Sequence, residues 1–250
     1  VRSIVSFVAS AAKSRLGTAE EVRRRLKECA DPEKAEFLPR FFKTGPGEYG
    51  EGDRFHGVVV PQCRKIARAA RDLSSTELVK LLRSPMHEER EVALFIMVEA
   101  FKRARPKARQ AIYRCYVQNS KWVNNWDLVD ASAPTILGGY LRDRDRSQLR
   151  EWASSGDLWH RRMAVLATFL YIKEGDFEDA LAIARLLRDD EEDLIHKAVG
   201  WMLREIGNRD RAVVMRFLKA HYKKMPRTML RYAIEKFPES RRKAYLEGRI

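Results

Sequence analysis

A self-similarity with a period near 36 residues constrains this chain more than any other feature. Asp157-Leu158-Trp159-His160-Arg161 returns as Asp193-Leu194-Ile195-His196-Lys197, each copy followed closely by Ala-Val, and His160 and His196 stand 36 residues apart. Two periods before His160 lies next to His87, in Met86-His87-Glu88-Glu89-Arg90-Glu91-Val92-Ala93. One period before it reaches Val123, just ahead of a helix expected from about Asn125. A repeat of this length is one supersecondary unit. It cannot bury its apolar face alone and must stack on its neighbours. Chance similarity among amphipathic helices is the alternative.

Within the repeat the apolar residues keep helical spacing. Leu94, Val98 and Phe101 recur in this way, as do Leu166 and Leu170, and Ile183, Leu186 and Leu187, with charged residues between them. The only β-branched run is Gly57-Val58-Val59-Val60-Pro61, where Pro61 is expected to open a helix. Pro32, Pro106, Pro226 and Pro238 also stand where helices can start. Two helices per unit and no visible tetratricopeptide consensus predict an all-α, HEAT-like helical repeat solenoid with a concave basic face. The chain is read as a single domain over residues 1–250: N-terminal helices in 1–30, a core over 31–237 and a last helix in 238–250. The mildly apolar Ile4–Ala12 stretch is taken as a packed first helix.

Charge narrows the partners. Lys and Arg number 49 against 35 Asp and Glu, a net +14, which is the electrostatic footprint of a polyanion-binding protein. A membrane surface is the rival. No run of about 18 apolar residues or signal-peptide layout is visible, so no membrane partner is expected. Arg161, Arg162, Lys197 and Arg204 fall in equivalent second helices. A row of such cations on the inner wall of a solenoid suits a duplex backbone; a solvated charged face is the plainer alternative. Cys29, Cys63 and Cys115 are odd in number and widely spaced, and the five His form no H-x-x-x-H pair. Neither a metal site nor a disulfide framework follows, and a reducing, cytoplasmic compartment is expected.

Chemistry concentrates in Lys121-Trp122-Val123-Asn124-Asn125-Trp126-Asp127-Leu128-Val129-Asp130. Asn124 or Asn125 can cap a helix. Trp126 and Asp130 are then four apart on one face, and Asp127 complements the helix N-terminus. An indole beside a carboxylate can recognise a cation, the indole face contributing about 0.5–2 kcal/mol. Packing and capping roles are the plain alternative.

Several ordered stretches carry a family resemblance. They are Asp31-Pro32-Glu33-Lys34-Ala35-Glu36, Phe55-His56-Gly57-Val58 with Pro61 and Arg64, Trp126-Asp127-Leu128-Val129-Asp130 with Pro134 and Leu137-Gly138, Trp159-His160-Arg161-Arg162-Met163-Ala164, and Lys197-Ala198-Val199-Gly200-Trp201-Met202-Leu203-Arg204-Glu205. Over roughly residues 30–237 the chain resembles the AlkD-type DNA alkylation repair glycosylases, which have HEAT-like repeats. The resemblance implies a catalytic cluster of Trp126, Asp130 and Arg162, a second lesion-site aromatic at Trp201, and DNA-contacting arginines at Arg64 and Arg204. Lys197 and Arg161 are counted on the DNA-binding side from the row of cations in the second helices. Phe41 stands where the best-known member has Tyr, and Val59 where it has a polar residue. The Thr44–Asp53 insertion, rich in glycine but carrying three acids, is read as a flexible surface loop.

The implied substrate is double-stranded DNA containing N3- or N7-alkylated purines. Their positive charge makes the base a good leaving group, so no general acid and no cofactor are needed. The sugar gains oxocarbenium character, and Asp130 is the residue expected to stabilise it or to orient water. Trp126 and Trp201 would touch the sugar and backbone, and Arg162 would hold a phosphate. The family is implied to leave the damaged base stacked, unlike base-flipping glycosylases. The expected product is a monofunctional hydrolase acting as a monomer, nucleoid-associated through DNA. A non-catalytic HEAT-like scaffold that binds DNA or an acidic protein is the runner-up. RNA recognition would require side-chain pairs recurring at fixed positions, and none recurs.

Overall fold

The structure is a computed structural model that describes residues 15–250. The Ile4–Ala12 helix expected from the sequence lies outside the described residues. By internal contacts the chain, read above as a single domain, divides into two compact units. One comprises residues up to Phe41 with Asp53–Ile96, the other Phe42–Gly52 with Met97–Ile250.

In the first unit, α1 (Ala19–Lys27) starts at a capping box: Thr18 accepts from the Glu21 amide, and the Glu21 side chain reaches back to the Thr18 N–H. Then come α2 (Pro32–Phe41), α3 (Val60–Ala69), α4 (Ser75–Leu82) and α5 (His87–Arg103), the last continuing into the second unit. The valine run forms no strand, because its donors are taken elsewhere. The backbone N–H groups of His56, Gly57 and Val58 all donate to the buried carboxylate of Glu88, at 2.8–3.1 Å. Pro61 then sits in the first turn of α3, as its missing N–H allows. Beneath this turn Arg90 and His87 both bond Asp53, at 2.6 and 3.0 Å.

The second unit carries the repeats. Its helices are α6 (Pro106–Gln118), α7 (Trp126–Ala133), α8 (Gly139–Leu141), α9 (Ser147–Ala153), α10 (Leu158–Lys173), α11 (Glu178–Leu186), α12 (Asp193–Arg209), α13 (Arg211–His221), α14 (Arg227–Ala233) and α15 (Glu239–Leu246). The second helices of successive pairs begin at residues 126, 158, 193 and 227, close to the expected period. The two sequence copies are not quite equivalent. Asp157 caps α10 from outside, its carboxylate taking the Trp159 and His160 amides, whereas Asp193 is already inside α12. All five prolines picked out above open helices, at Pro32, Pro61, Pro106, Pro226 and Pro238.

Helix α10 is the centre of this unit, packed on α7, α9 and α12, while α12 also packs on α14. Met163 through Thr168 are buried without a break, so α10 is enclosed on nearly all sides rather than amphipathic. Each such Leu or Val buried contributes about 1.5–3 kcal/mol. The closest approach to α10 is at Gly138, where a Cβ would come within 2.4 Å of the Ala167 carbonyl oxygen. Leu166, Ile183 and Leu187 are core residues, but Leu186 is 51% exposed. It is the last residue of α11.

Candidate active site

Helix α7 begins where the side-chain oxygen of Asn125 takes the Trp126 amide at 2.8 Å, so Asn125 is the cap. One turn later, on the same face, comes Asp130. Pro134 follows after one more turn. A proline inside a helix has no N–H to give, and its ring crowds the carbonyl four residues back, here that of Asp130 itself. The backbone answers by widening into a π turn over Pro134–Gly138 before α8 resumes.

Across from α7, Arg162 of α10 meets Asp130 with a two-pronged hydrogen bond. Its Nε donates to Oδ1 at 2.9 Å and its Nη2 to Oδ2 at 2.8 Å. The third prong, Nη1, donates to the Leu194 carbonyl of α12 at 2.7 Å. The Arg162 side chain is only 6% exposed and that of Asp130 20%. In the free protein Arg162 is therefore directed at Asp130 and Leu194. It acts as a rigid brace that ties the carboxylate to two helices. Burial pushes the Asp130 carboxyl above the usual carboxylate range, and the charge and hydrogen bond of Arg162 only partly offset it. Each carboxylate oxygen has two acceptor sites, so the brace leaves accepting capacity on the open side.

Trp126 is half-buried, stacked on Phe42 with ring centroids 5.6 Å apart and planes at 21°. Tyr49, from the same segment as Phe42, stands edge-on to Trp159 at 5.8 Å, and burial raises its hydroxyl pKa. Trp201 on α12 packs obliquely on Phe169 of α10 at 5.5 Å, its indole N–H directed to Glu205. Phe169 lies seven residues along α10 from Arg162, roughly 10 Å of helix rise. Trp126, Asp130 and Arg162 thus share one cluster, and Trp201 stands about two turns further along the neighbouring helices.

The cations of the second helices are not a free row. Arg161 pairs with Asp190 at 2.8 Å and Lys197 with Asp193 at 2.7 Å; Arg204 pairs with Glu235. Arg161 is further occupied by the Ser155 carbonyl. Arg161, Lys197 and Arg204 each have an acid beside them. In the first unit, Arg64 is exposed and lies over the Phe95 ring at 4.0 Å, and Phe41 is 52% exposed at the end of α2. Uncommitted positive charge collects elsewhere in the second unit. Arg216, Lys219, Lys223, Lys224 and Arg241 surround an open depression of about 940 Å³ between α13 and α15. Among the described residues no group of three or more His, Cys, Asp or Glu converges to hold a metal, and no helix is long and apolar enough to cross a membrane.

Sequence reasoning missed Phe42 and Tyr49. Both belong to the 42–52 segment, which has no periodicity to flag it. Tyr49 is the one aromatic residue in the glycine-rich Thr44–Asp53 insertion, and Phe42 stands just before it.

A braced, desolvated carboxylate beside an indole in an α-repeat is the setting in which comparison with known proteins becomes informative. Residues 22–237 match the family model described as DNA alkylation repair enzyme. No curated protein matches the sequence. Among solved structures, a predicted DNA alkylation repair enzyme from Enterococcus faecalis superposes with a TM-score of 0.64 at 17% identity, over 84% of this chain and 97% of that one. AlkD2 from Streptococcus mutans gives 0.51 at 17% identity, over 88% and 98%. At such identity these two likenesses speak to the fold, which is all-α and repeat-built. The family match spans most of the sequence and every repeat around Asp130, and the chain belongs to the DNA alkylation repair enzyme family.

Proposed function

We propose that this protein is a DNA glycosylase that releases N3- and N7-alkylated purines from duplex DNA by hydrolysing the N-glycosidic bond. The observation that carries the reading is the Asp130 carboxylate, desolvated, held at both oxygens by Arg162 and still open on one side. Burial makes its charge costly, so a cation arriving on the open side is strongly favoured.

The alkylated purine supplies such a cation in two stages. The base carries it first; as the glycosidic electron pair departs with the base, the charge moves to the sugar. Asp130 then faces an oxocarbenium-like ring. Two unit charges about 4 Å apart interact by roughly 4 kcal/mol at an effective dielectric near 20. That is about a thousandfold in rate, more than an indole face contributes alone. Water adds to the sugar, one proton is released, and the products are the neutral alkylpurine and an abasic site. Arg162 keeps the carboxylate rigid so that no reorganisation is needed at the moment of bond breaking. Trp126, one turn before Asp130 on the same face of α7, would contact the deoxyribose, and Trp201 would extend the aromatic surface. No enclosing pocket is required, which fits substrates with bulky alkyl groups.

The runner-up, a non-catalytic scaffold, is favoured by the basic depression between α13 and α15, which suits an acidic partner. One experiment separates the two. Incubation with methylated and unmodified duplex, followed by chromatography of the supernatant, is expected to show 7-methylguanine or 3-methyladenine only from the methylated duplex. Release no faster than spontaneous loss would leave the scaffold reading.

A further inference from the structure

Residues 211–234 contain seven Lys and Arg and no Asp or Glu, so half of the net +14 arises in a single stretch that cannot neutralise itself. Helical spacing sorts this stretch into two stripes on α13. Val214, Phe217 and Leu218 are buried, with Val214 against Gly207 of α12. Ala212, Met215, Arg216, Lys219, Ala220 and then Lys223, three and four apart, make the second stripe. That stripe is one wall of the open depression of about 940 Å³, and Arg241 and Tyr245 of α15 stand on the other.

The depression has an apolar floor and a cationic rim. Ala212, Met215 and Ala220 line it together with the buried Tyr222 and Tyr245, whose rings meet edge-on at 5.3 Å and 83°. Among the described residues none of Arg216, Lys219, Lys223, Lys224 and Arg241 forms an ion pair, unlike Arg161, Lys197 and Arg204. Arg241 instead reaches the Met215 sulfur at 3.5 Å, and Lys223 sits over the Tyr222 ring at 5.9 Å. Neither contact neutralises a charge. His221, also in the wall and packed on Phe217, feels the result. Partial burial, and after it the charges of Arg188, Arg185 and Lys224, hold its imidazole below the ordinary histidine range.

Floor and rim together select the kind of anion. A duplex backbone binds through hydrated phosphates and gains nothing from an apolar floor. A single strand needs exposed rings on which bases stack, and both tyrosines here are buried. Carboxylates along a peptide can each take a rim cation, while an apolar side chain between them displaces water from the floor. The depression is also apart from Asp130: α13 packs on α12, α12 on α10, and α10 on α7.

We propose that the depression between α13 and α15 is a docking site for an acidic segment of another protein, one that carries an apolar side chain between its carboxylates. The proposal goes beyond the glycosylase reading and holds with or without base release.

The probe is a fluorescein-labelled peptide of Glu and Asp with a central Leu, titrated with the full chain at moderate salt and followed by anisotropy. A protein of net +14 attracts such a peptide everywhere, so the place and the chemistry must both be read. Replacing the central Leu of the peptide by Ser is expected to weaken binding severalfold. Arg216→Glu combined with Lys219→Glu, both exposed, is expected to weaken it at least about tenfold. Tm, base release and duplex affinity should stay as in the parent, because salt screens distant charges. In the parent, the His221 pKa followed by NMR is expected to rise when the peptide saturates, since carboxylates oppose the Arg and Lys charges. Equal affinity for the two peptides, binding that ignores the double charge reversal, or an unmoved His221 pKa would each overturn the proposal. So would a DNA strand that displaces the peptide and loses affinity with the same double reversal, which would make the depression a nucleic-acid surface. A parent that binds the peptide but releases no base would overturn the glycosylase reading alone.

Discussion

Asp53 in the first unit and Asp130 in the second are both aspartates gripped by an arginine from a following helix, yet their carboxyls are pushed in opposite directions. Burial opposes the charge of each. At Asp53 the hydrogen bond from His87 and the charge of Arg90 outweigh burial, and its carboxyl lies below the usual range. At Asp130 burial outweighs the single partner, Arg162, and the carboxyl lies above it. Asp53 is 3% exposed and finished by two donors; Asp130 is 20% exposed with one brace. The second partner is what turns a poised carboxylate into a structural one. At Asp130 only the Arg162 brace is present, and on the proposed reading the cationic sugar would take the second place.

The contrast is sharpest under substitution. Asp53→Asn strands Arg90 and His87 in the interior and is expected to lower stability by about 3–5 kcal/mol, as for other broken buried pairs. Asp130→Asn removes a charge that the fold holds at a cost, and the amide oxygen still accepts from Arg162; its stability loss in urea denaturation is expected to be clearly smaller. Equal losses would erase the distinction between the two sites.

Acid titration separates them next. The depressed carboxyl of Asp53 contributes stability that is fully present above the unfolded-state value and lost only as pH falls through the folded one. The raised carboxyl of Asp130 takes up its proton earlier on the way down. Base release, corrected for spontaneous loss, is therefore expected to fall in a pH window where circular dichroism still reports native helix. Coincident loss of rate and helix would count against the assignment.

Arginine geometry comes third. Arg162→Lys keeps the charge but loses the fork, and is expected to slow release roughly tenfold. Arg90→Lys is expected to appear in Tm and leave the rate of folded protein alone. The smallest effect lies away from both carboxylates: Arg64→Ala and Arg204→Ala should each weaken duplex binding modestly and reduce the salt slope by about one. Of the two, Arg204 should matter less, since Glu235 already balances it.

The helical repeat was legible because its cause is local. Apolar spacing and helix-opening prolines are written along the chain, and only details such as the exposed Leu186 escaped. Asp130 and Trp126 were legible as a face because four residues is one turn. The partner of Asp130 was not, since Arg162 lies a whole repeat away and spacing does not say which arginine turns inward. Family resemblance named it, and the geometry joins it to both carboxylate oxygens of Asp130. The acids beside the cation row were hidden for a similar reason. Net charge counts residues, whereas the acids that neutralise Arg161, Lys197 and Arg204 lie at Asp190, Asp193 and Glu235, positions that composition cannot pair. The stack of Phe42 on Trp126 was invisible because a loop has no period.

The central claim is that Asp130 faces the developing charge of the sugar. The most direct test is single-turnover release of 7-methylguanine from one duplex by the parent and by Asp130→Asn, with both proteins saturating. The account expects the variant to bind the duplex with unchanged Kd and to release base roughly a thousandfold more slowly, the charge–charge term above. Release at the parent rate from the bound variant would contradict it.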